Sequence, residues 1–145
     1  MIKLIIVDDH PVVRAGLSAL LAGSSKFTVV AQAENGQHLL DLLAAGVVAE
    51  MVISDIEMPV MDGLSMLSIV SASHPQLLVV MLSMKNQGSA VEAAYTRGAK
   101  AFISKSLDLA LLAAAIKYIY EHSGRYSCGI EKAHNSQFVA IDERL

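Results

Sequence analysis

The chain has 145 residues, 54% of them hydrophobic and 17% charged, with a formal net charge of −3. That length supports one domain with its own buried core, and that composition excludes disorder over most of the sequence. Its 11 Lys and Arg residues are scattered, which excludes a phosphate-backbone footprint, and its single cysteine, Cys128, excludes an intramolecular disulfide and fits a reducing, cytoplasmic setting.

The opening apolar run is too short for a signal peptide and meets Asp8 and Asp9 directly, so it reads as a buried strand over residues 3–7. Pro11 favours the first turn of a helix, and Val13, Leu17, Leu20 and Leu21 then keep helical spacing. A second strand is predicted at 28–33, followed by a helix carrying Leu39, Leu40, Leu42 and Leu43. The third strand, 51–54, leads through Pro59 and Gly63 to a helix with Leu64, Leu67 and Val70. A fourth strand at 77–82 precedes a helix with Val91, Ala94 and Tyr95, which Gly98 ends as a left-handed cap. The fifth strand, 101–104, precedes the longest helix, 107–121. From Ser123 the periodicity fails among Gly124, Ser127, Gly129, Asn135 and Ser136, so 123–145 is expected as a linker or C-terminal extension with room for a short final helix. No apolar stretch reaches the roughly 18 residues of a membrane span, and no membrane contact is expected.

Strict alternation of strand and helix, with strands apolar on both faces, predicts an α/β fold: a doubly wound, five-stranded parallel sheet flanked by five helices. In such sheets ligands bind beyond the carboxyl ends of the strands. The residues there are Asp8 and Asp9 after the first strand, Asp55 after the third, Ser83 after the fourth and Lys105 after the fifth. Each alone has an ordinary explanation as a cap or turn residue. Their joint occurrence on one edge carries the functional reading.

Three carboxylates in one crevice repel one another unless a cation sits among them, and an all-oxygen set suits Mg2+. Magnesium shares one or two carboxylates with a phosphate, which leaves one acid as nucleophile. Asp55 is the choice, because Asp8 and Asp9 are adjacent and make a metal clamp. Lys105 would neutralise phosphoryl oxygens and Ser83 would donate a hydrogen bond to one. Asp62 reads as a helix cap. Met58, Met61, Met81 and Met84 read as packing, since no soft ligands accompany them. The five histidines lack ligand spacing and read as surface or capping residues.

Val7-Asp8-Asp9-His10-Pro11, Ser54-Asp55-Ile56-Glu57-Met58-Pro59 with Met61-Asp62-Gly63, Leu82-Ser83-Met84 and Ala101-Phe102-Ile103-Ser104-Lys105 resemble the successive signatures of response-regulator receiver domains. The opening and the Leu-Ser-Met segment are similar to the NarL group, whose receivers precede a LuxR-type helix-turn-helix. The resemblance covers residues 2–122 and implies a receiver domain over 1–122. It implies that Asp8 and Asp9 hold Mg2+ together with Asp55 and the Glu57 backbone carbonyl, that Asp55 is phosphorylated, and that Ser83 and Lys105 contact the phosphoryl group. Phe102 matches the switch aromatic, which turns inward as the hydroxyl residue moves toward the phosphate. Ser106 stands where many receivers have Pro, as in the NarL group.

The leading function is thus a two-component signalling switch, phosphorylated by a histidine kinase or a small phosphodonor, with only weak self-catalysed transfer and autodephosphorylation rather than enzymatic turnover. An aspartyl-phosphate-forming phosphatase is the alternative from the enzyme class, although such enzymes take a second Asp two residues after the nucleophile, where this chain has Glu57. A phosphorylation-independent interaction module is the third. Transcription would be regulated through an output domain absent from this sequence, which alone would contact DNA. A homodimer through the final helix is expected, because Leu107, Leu109, Leu111, Leu112, Ile116 and Ile119 exceed one core-facing stripe.

Overall fold

The computed structural model of the chain describes residues 1–83, 88–104, 109–121, 129–130 and 140–141. Strands β1 (Ile2–Val7), β2 (Phe27–Ala33), β3 (Met51–Asp55), β4 (Leu78–Ser83) and β5 (Ala101–Ser104) alternate with helices α1 (Pro11–Ala22), α2 (Gly36–Ala44), α3 (Gly63–Ser73), α4 (Gly88–Thr96) and α5 (Leu109–Glu121). The five strands are all parallel, in the order β2-β1-β3-β4-β5. The chain steps outward from β1 to β2, then crosses back to β3 and continues the other way. The order therefore reverses between β1 and β3, which makes their carboxyl ends the crevice where ligands bind in such sheets.

Side chains of a strand alternate between faces, and two cores follow from that period. Leu4, Ile6, Met51, Ile53, Val80, Leu82 and Ile103 pack with Leu17 and Leu21 of α1 and Leu112, Ala115, Ile116 and Ile119 of α5. Ile5, Val7, Val52, Val79, Met81 and Phe102 pack on the other face with Leu39 of α2, Met66, Leu67 and Val70 of α3 and Ala94 of α4. Burial on both faces explains why these strands read as continuous apolar runs. Met58 and Met61 pack beside the second cluster and Met81 lies inside it, in keeping with their reading as packing residues.

The helix ends follow local chemistry. Pro11 opens α1, Asn35 caps α2 by accepting from the His38 N–H, and Asp62 caps α3 by accepting from the Ser65 N–H at 2.7 Å. Gly98 has φ +107, with its N–H on the Tyr95 carbonyl and the Ala99 N–H on the Ala94 carbonyl, the paired bonds of a left-handed helix termination.

Of the apolar residues expected to exceed one stripe, Leu107 lies outside the described residues. In α5, Leu112, Ala115, Ile116 and Ile119 enter the core, Leu111 is half-buried, and Ala110, Ala114 and Glu121 are exposed. Its carboxyl end is tied down by Tyr120, whose hydroxyl donates to Glu50 Oε2 at 2.6 Å while the Lys3 N–H donates to Oε1 at 3.1 Å. The Tyr120 hydroxyl, then the Lys3 N–H, hold the Glu50 carboxyl below its usual range, and the same bond pushes the Tyr120 phenol up. In the tail, β6 (Gly129–Ile130) and β7 (Ala140–Ile141) pair antiparallel, with β6 alongside β5, and the rest of 123–145, where a linker and a short helix are expected, lies outside the described residues. Among the described residues no helix is long and apolar enough to cross a membrane.

Candidate functional site

Each strand that faces the crevice ends in a polar residue, because the buried run stops where the sheet stops. Asp8 follows β1, Asp55 closes β3 and Ser83 closes β4, all three buried. Ligand atoms of Asp8, Asp9, His10 and Asp55 all lie within 4.8 Å of one another. The predicted acidic triad is thus assembled. Ser83 stands on the neighbouring strand, one register step past the Asp55↔Leu82 pair and opposite Ser104. Phe102 is fully buried in the second core. Glu57 lies in the loop after β3 with its side chain exposed. Lys105 follows Ser104 and lies outside the described residues.

The scaffold under these groups is specific. The Asp8 N–H donates to the Ala33 carbonyl at 3.0 Å, and Arg14 donates to the Asp8 carbonyl at 2.6 Å. Asp55 Oδ1 accepts from the Ile56 N–H at 2.8 Å, and the Ser54 hydroxyl donates to the Asp55 carbonyl at 2.8 Å. Gly63 donates to the Ile56 carbonyl at 2.7 Å, which folds the loop back on the end of β3. At the tip of that loop the Met61 N–H reaches the Pro59 carbonyl at 2.7 Å across Val60, whose φ is 67. Three-residue turns of this hand are strained, and a β-branched residue in left-handed backbone costs about 1–2 kcal/mol. Val60 is 84% exposed, so no packing is lost with it. Val60→Gly is accordingly expected to raise stability by up to about 1 kcal/mol, part of the relief being offset by the freer unfolded chain. Urea denaturation would measure it, and a loss of stability would contradict the turn.

His10 is a surface residue, as the sequence reading has it, and the structure adds where its ring lies. Its backbone does occupy the α1 cap position, but the side chain caps nothing. The ring instead turns into the crevice, with Nδ1 at 2.8 Å from Asp8 Oδ1, 3.2 Å from Asp9 Oδ1 and 3.8 Å from Asp55 Oδ2. Its place next to Asp8 and Asp9 in one loop, with Asp55 brought up by the fold, accounts for these contacts.

Asp9 Oδ1 is shut off from solvent and receives no hydrogen bond, although His10 Nδ1 is close, since that nitrogen bonds Asp8. An orphaned carboxylate oxygen beside two buried carboxylates is the donor set of a hard divalent cation. Mg2+ fits these residues. An open groove lined by Leu43, Val48, His74, Leu77 and Tyr120 lies at the opposite edge of the sheet and holds no comparable cluster.

Residues 4–117 match the model of the response regulator receiver domain. The transcriptional regulatory protein LnrK of Bacillus subtilis is 32% identical over 86% of this chain and 55% of its own length. The chain spans about half the length of several relatives it matches. Among solved structures, the signal receiver domain of NarL from Mycobacterium tuberculosis superposes with a TM-score of 0.77 at 26% identity, covering 83% of this chain and 96% of that one. A chain of the CheX–CheY–BeF3–Mg2+ complex from Borrelia burgdorferi gives 0.75 at 26% identity, covering 82% and 89%. Fold, switch-point crevice and family match agree: the chain belongs to the response regulator receiver domain family.

Proposed function

We propose that this receiver accepts one phosphoryl group on Asp55 in a Mg2+-dependent reaction, from a histidine kinase or a small phosphodonor. The observation that carries the reading is the position of the buried Asp55 carboxylate at the switch point, in one cluster with Asp8 and Asp9. The solved complex with BeF3 and Mg2+ supports it by likeness.

Asp8, Asp9, Asp55 and the Glu57 backbone carbonyl would hold the ion. When bound, Mg2+ offsets the charge that the phosphoryl oxygens bring to a site already rich in carboxylates. An Asp55 oxygen attacks phosphorus, the bond from phosphorus to the donor nitrogen or oxygen breaks, and the donor leaves with that electron pair. Lys105 and the Ser83 hydroxyl then contact the phosphoryl oxygens, and hydrolysis later returns the free carboxylate. Movement of Ser83 toward the phosphate couples the site to β5, where Phe102 is already turned inward in the core shared with α4. The test is intact-mass analysis with phosphoramidate: one phosphoryl group per chain is expected with Mg2+ and none with a chelator. Sustained hydrolysis of a phosphomonoester would favour a phosphatase instead.

The output belongs to the same reading: transcriptional control through a DNA-binding domain outside this sequence, supported by the regulator LnrK. Phosphorylation would promote a homodimer through α5, whose exposed Ala110 and Ala114 allow close approach. Sedimentation should show beryllofluoride shifting the chain to dimer and Ala114→Glu preventing it. A monomer throughout would remove the dimer from the account.

A further inference from the structure

We infer that His10 is a direct ligand of the divalent cation in this crevice, and that its nitrogen shifts the site's preference from Mg2+ toward first-row transition ions such as Mn2+. This rests on the reading that Asp8, Asp9 and Asp55 hold such a cation.

The spacing matches coordination. Ligands at about 2.1 Å around an octahedral ion lie about 3.0 Å apart when adjacent and about 4.2 Å apart when opposite. His10 Nδ1 stands 2.8, 3.2 and 3.8 Å from one oxygen each of Asp8, Asp9 and Asp55. All four ligand atoms lie within 4.8 Å of one another, slightly wider than the opposite-ligand spacing, so a single ion reaches them once the side chains draw in around it.

The ring is also held there. Pro11 opens α1, and the residue before a proline is confined to extended backbone, which His10 adopts at φ −93, ψ 107. The His10 N–H donates to Asp8 Oδ1 at 2.9 Å, so Asp8 grips both the backbone and the ring. The side chain is 60% exposed, which leaves a path for the ion.

Carboxylates alone suit magnesium and manganese, whereas an imidazole nitrogen adds affinity for first-row transition ions and little for magnesium. Ligation through Nδ1 needs the neutral ring with its hydrogen on Nε2, so the Nδ1 contact with Asp8 Oδ1 is exchanged for a bond to the ion. Asp9 Oδ1, buried and without a hydrogen bond, is ready to complete the set.

Two measurements on the native chain, His10→Ala and His10→Asn test this. Pulsed EPR of bound Mn2+ should show the coupling of a directly coordinated nitrogen in the native chain and not in either variant. Calorimetry should show the Mn2+-to-Mg2+ affinity ratio falling about tenfold or more in His10→Ala. Bound Mn2+ without nitrogen coupling in the native chain would overturn the inference while leaving the carboxylate site intact. Equal strengthening of both ions in His10→Ala would also overturn it, because the ring would then be a competitor for the cation's place. Failure of the native chain to bind any divalent ion would overturn both this inference and the reading beneath it.

Discussion

Replacing Asp55 by Asn should reduce labelling by phosphoramidate or acetyl phosphate below detection, while the chain stays folded. The amide has no anionic oxygen to attack phosphorus. The shape of the side chain is kept, and Asn can still accept from the Ile56 N–H at the place of Oδ1. One of three clustered carboxylates loses its charge, so the mutual repulsion falls and the melting temperature should hold or rise. Thermal unfolding checks the second half and intact mass the first. A variant that unfolds would leave Asp55 as a structural group, and one that labels normally would leave it out of the chemistry.

Gly63→Ala should be among the most damaging single methyl groups at the described glycines. A Cβ at that position would collide with the Asp55 carbonyl oxygen and stand 2.8 Å from the Met81 methyl and 3.0 Å from the Ile56 Cα. Backbone cannot yield as a flexible side-chain end can, so the end of β3 would have to move. A loss of about 3 kcal/mol is expected, at the upper end of overpacking effects, with slower phosphorylation because Asp55 moves with its carbonyl. Urea denaturation and labelling rates read the two consequences. A neutral Gly63→Ala would show that α3 does not press against Asp55.

These residues also mark how far the sequence could be read. The edge strand β2, half open to solvent, showed by its Val content. The four strands β1, β3, β4 and β5 and their ends were legible because burial on both faces leaves continuous apolar runs that stop at a polar residue. That alone brought Asp8, Asp9, Asp55 and Ser83 to one edge. The strand order then focused three acids at one switch point, a consequence of topology that no local pattern contains. His10 was legible as a surface residue, but its contacts with the acids were not, because a side chain's direction depends on backbone fixed by Pro11 and on partners a strand away. Gly63 was legible as a loop residue, but its contact with the Asp55 carbonyl depends on how closely α3 approaches β3. Half of the apolar surplus read into the last helix, Leu112, Ile116 and Ile119, goes into the core, because one face of α5 lies on the sheet. The reading of Lys105 falls on a residue outside the described ones.

The most direct test of the central claim is the chemical address of the phosphoryl group. After reaction with phosphoramidate and Mg2+, borohydride reduction converts an aspartyl phosphate to homoserine, which peptide mass spectrometry can place in the sequence. The account predicts homoserine at position 55 alone, and only when Mg2+ was present. Homoserine at position 8 or 9, or a label that survives borohydride because it sits on a histidine, would contradict it.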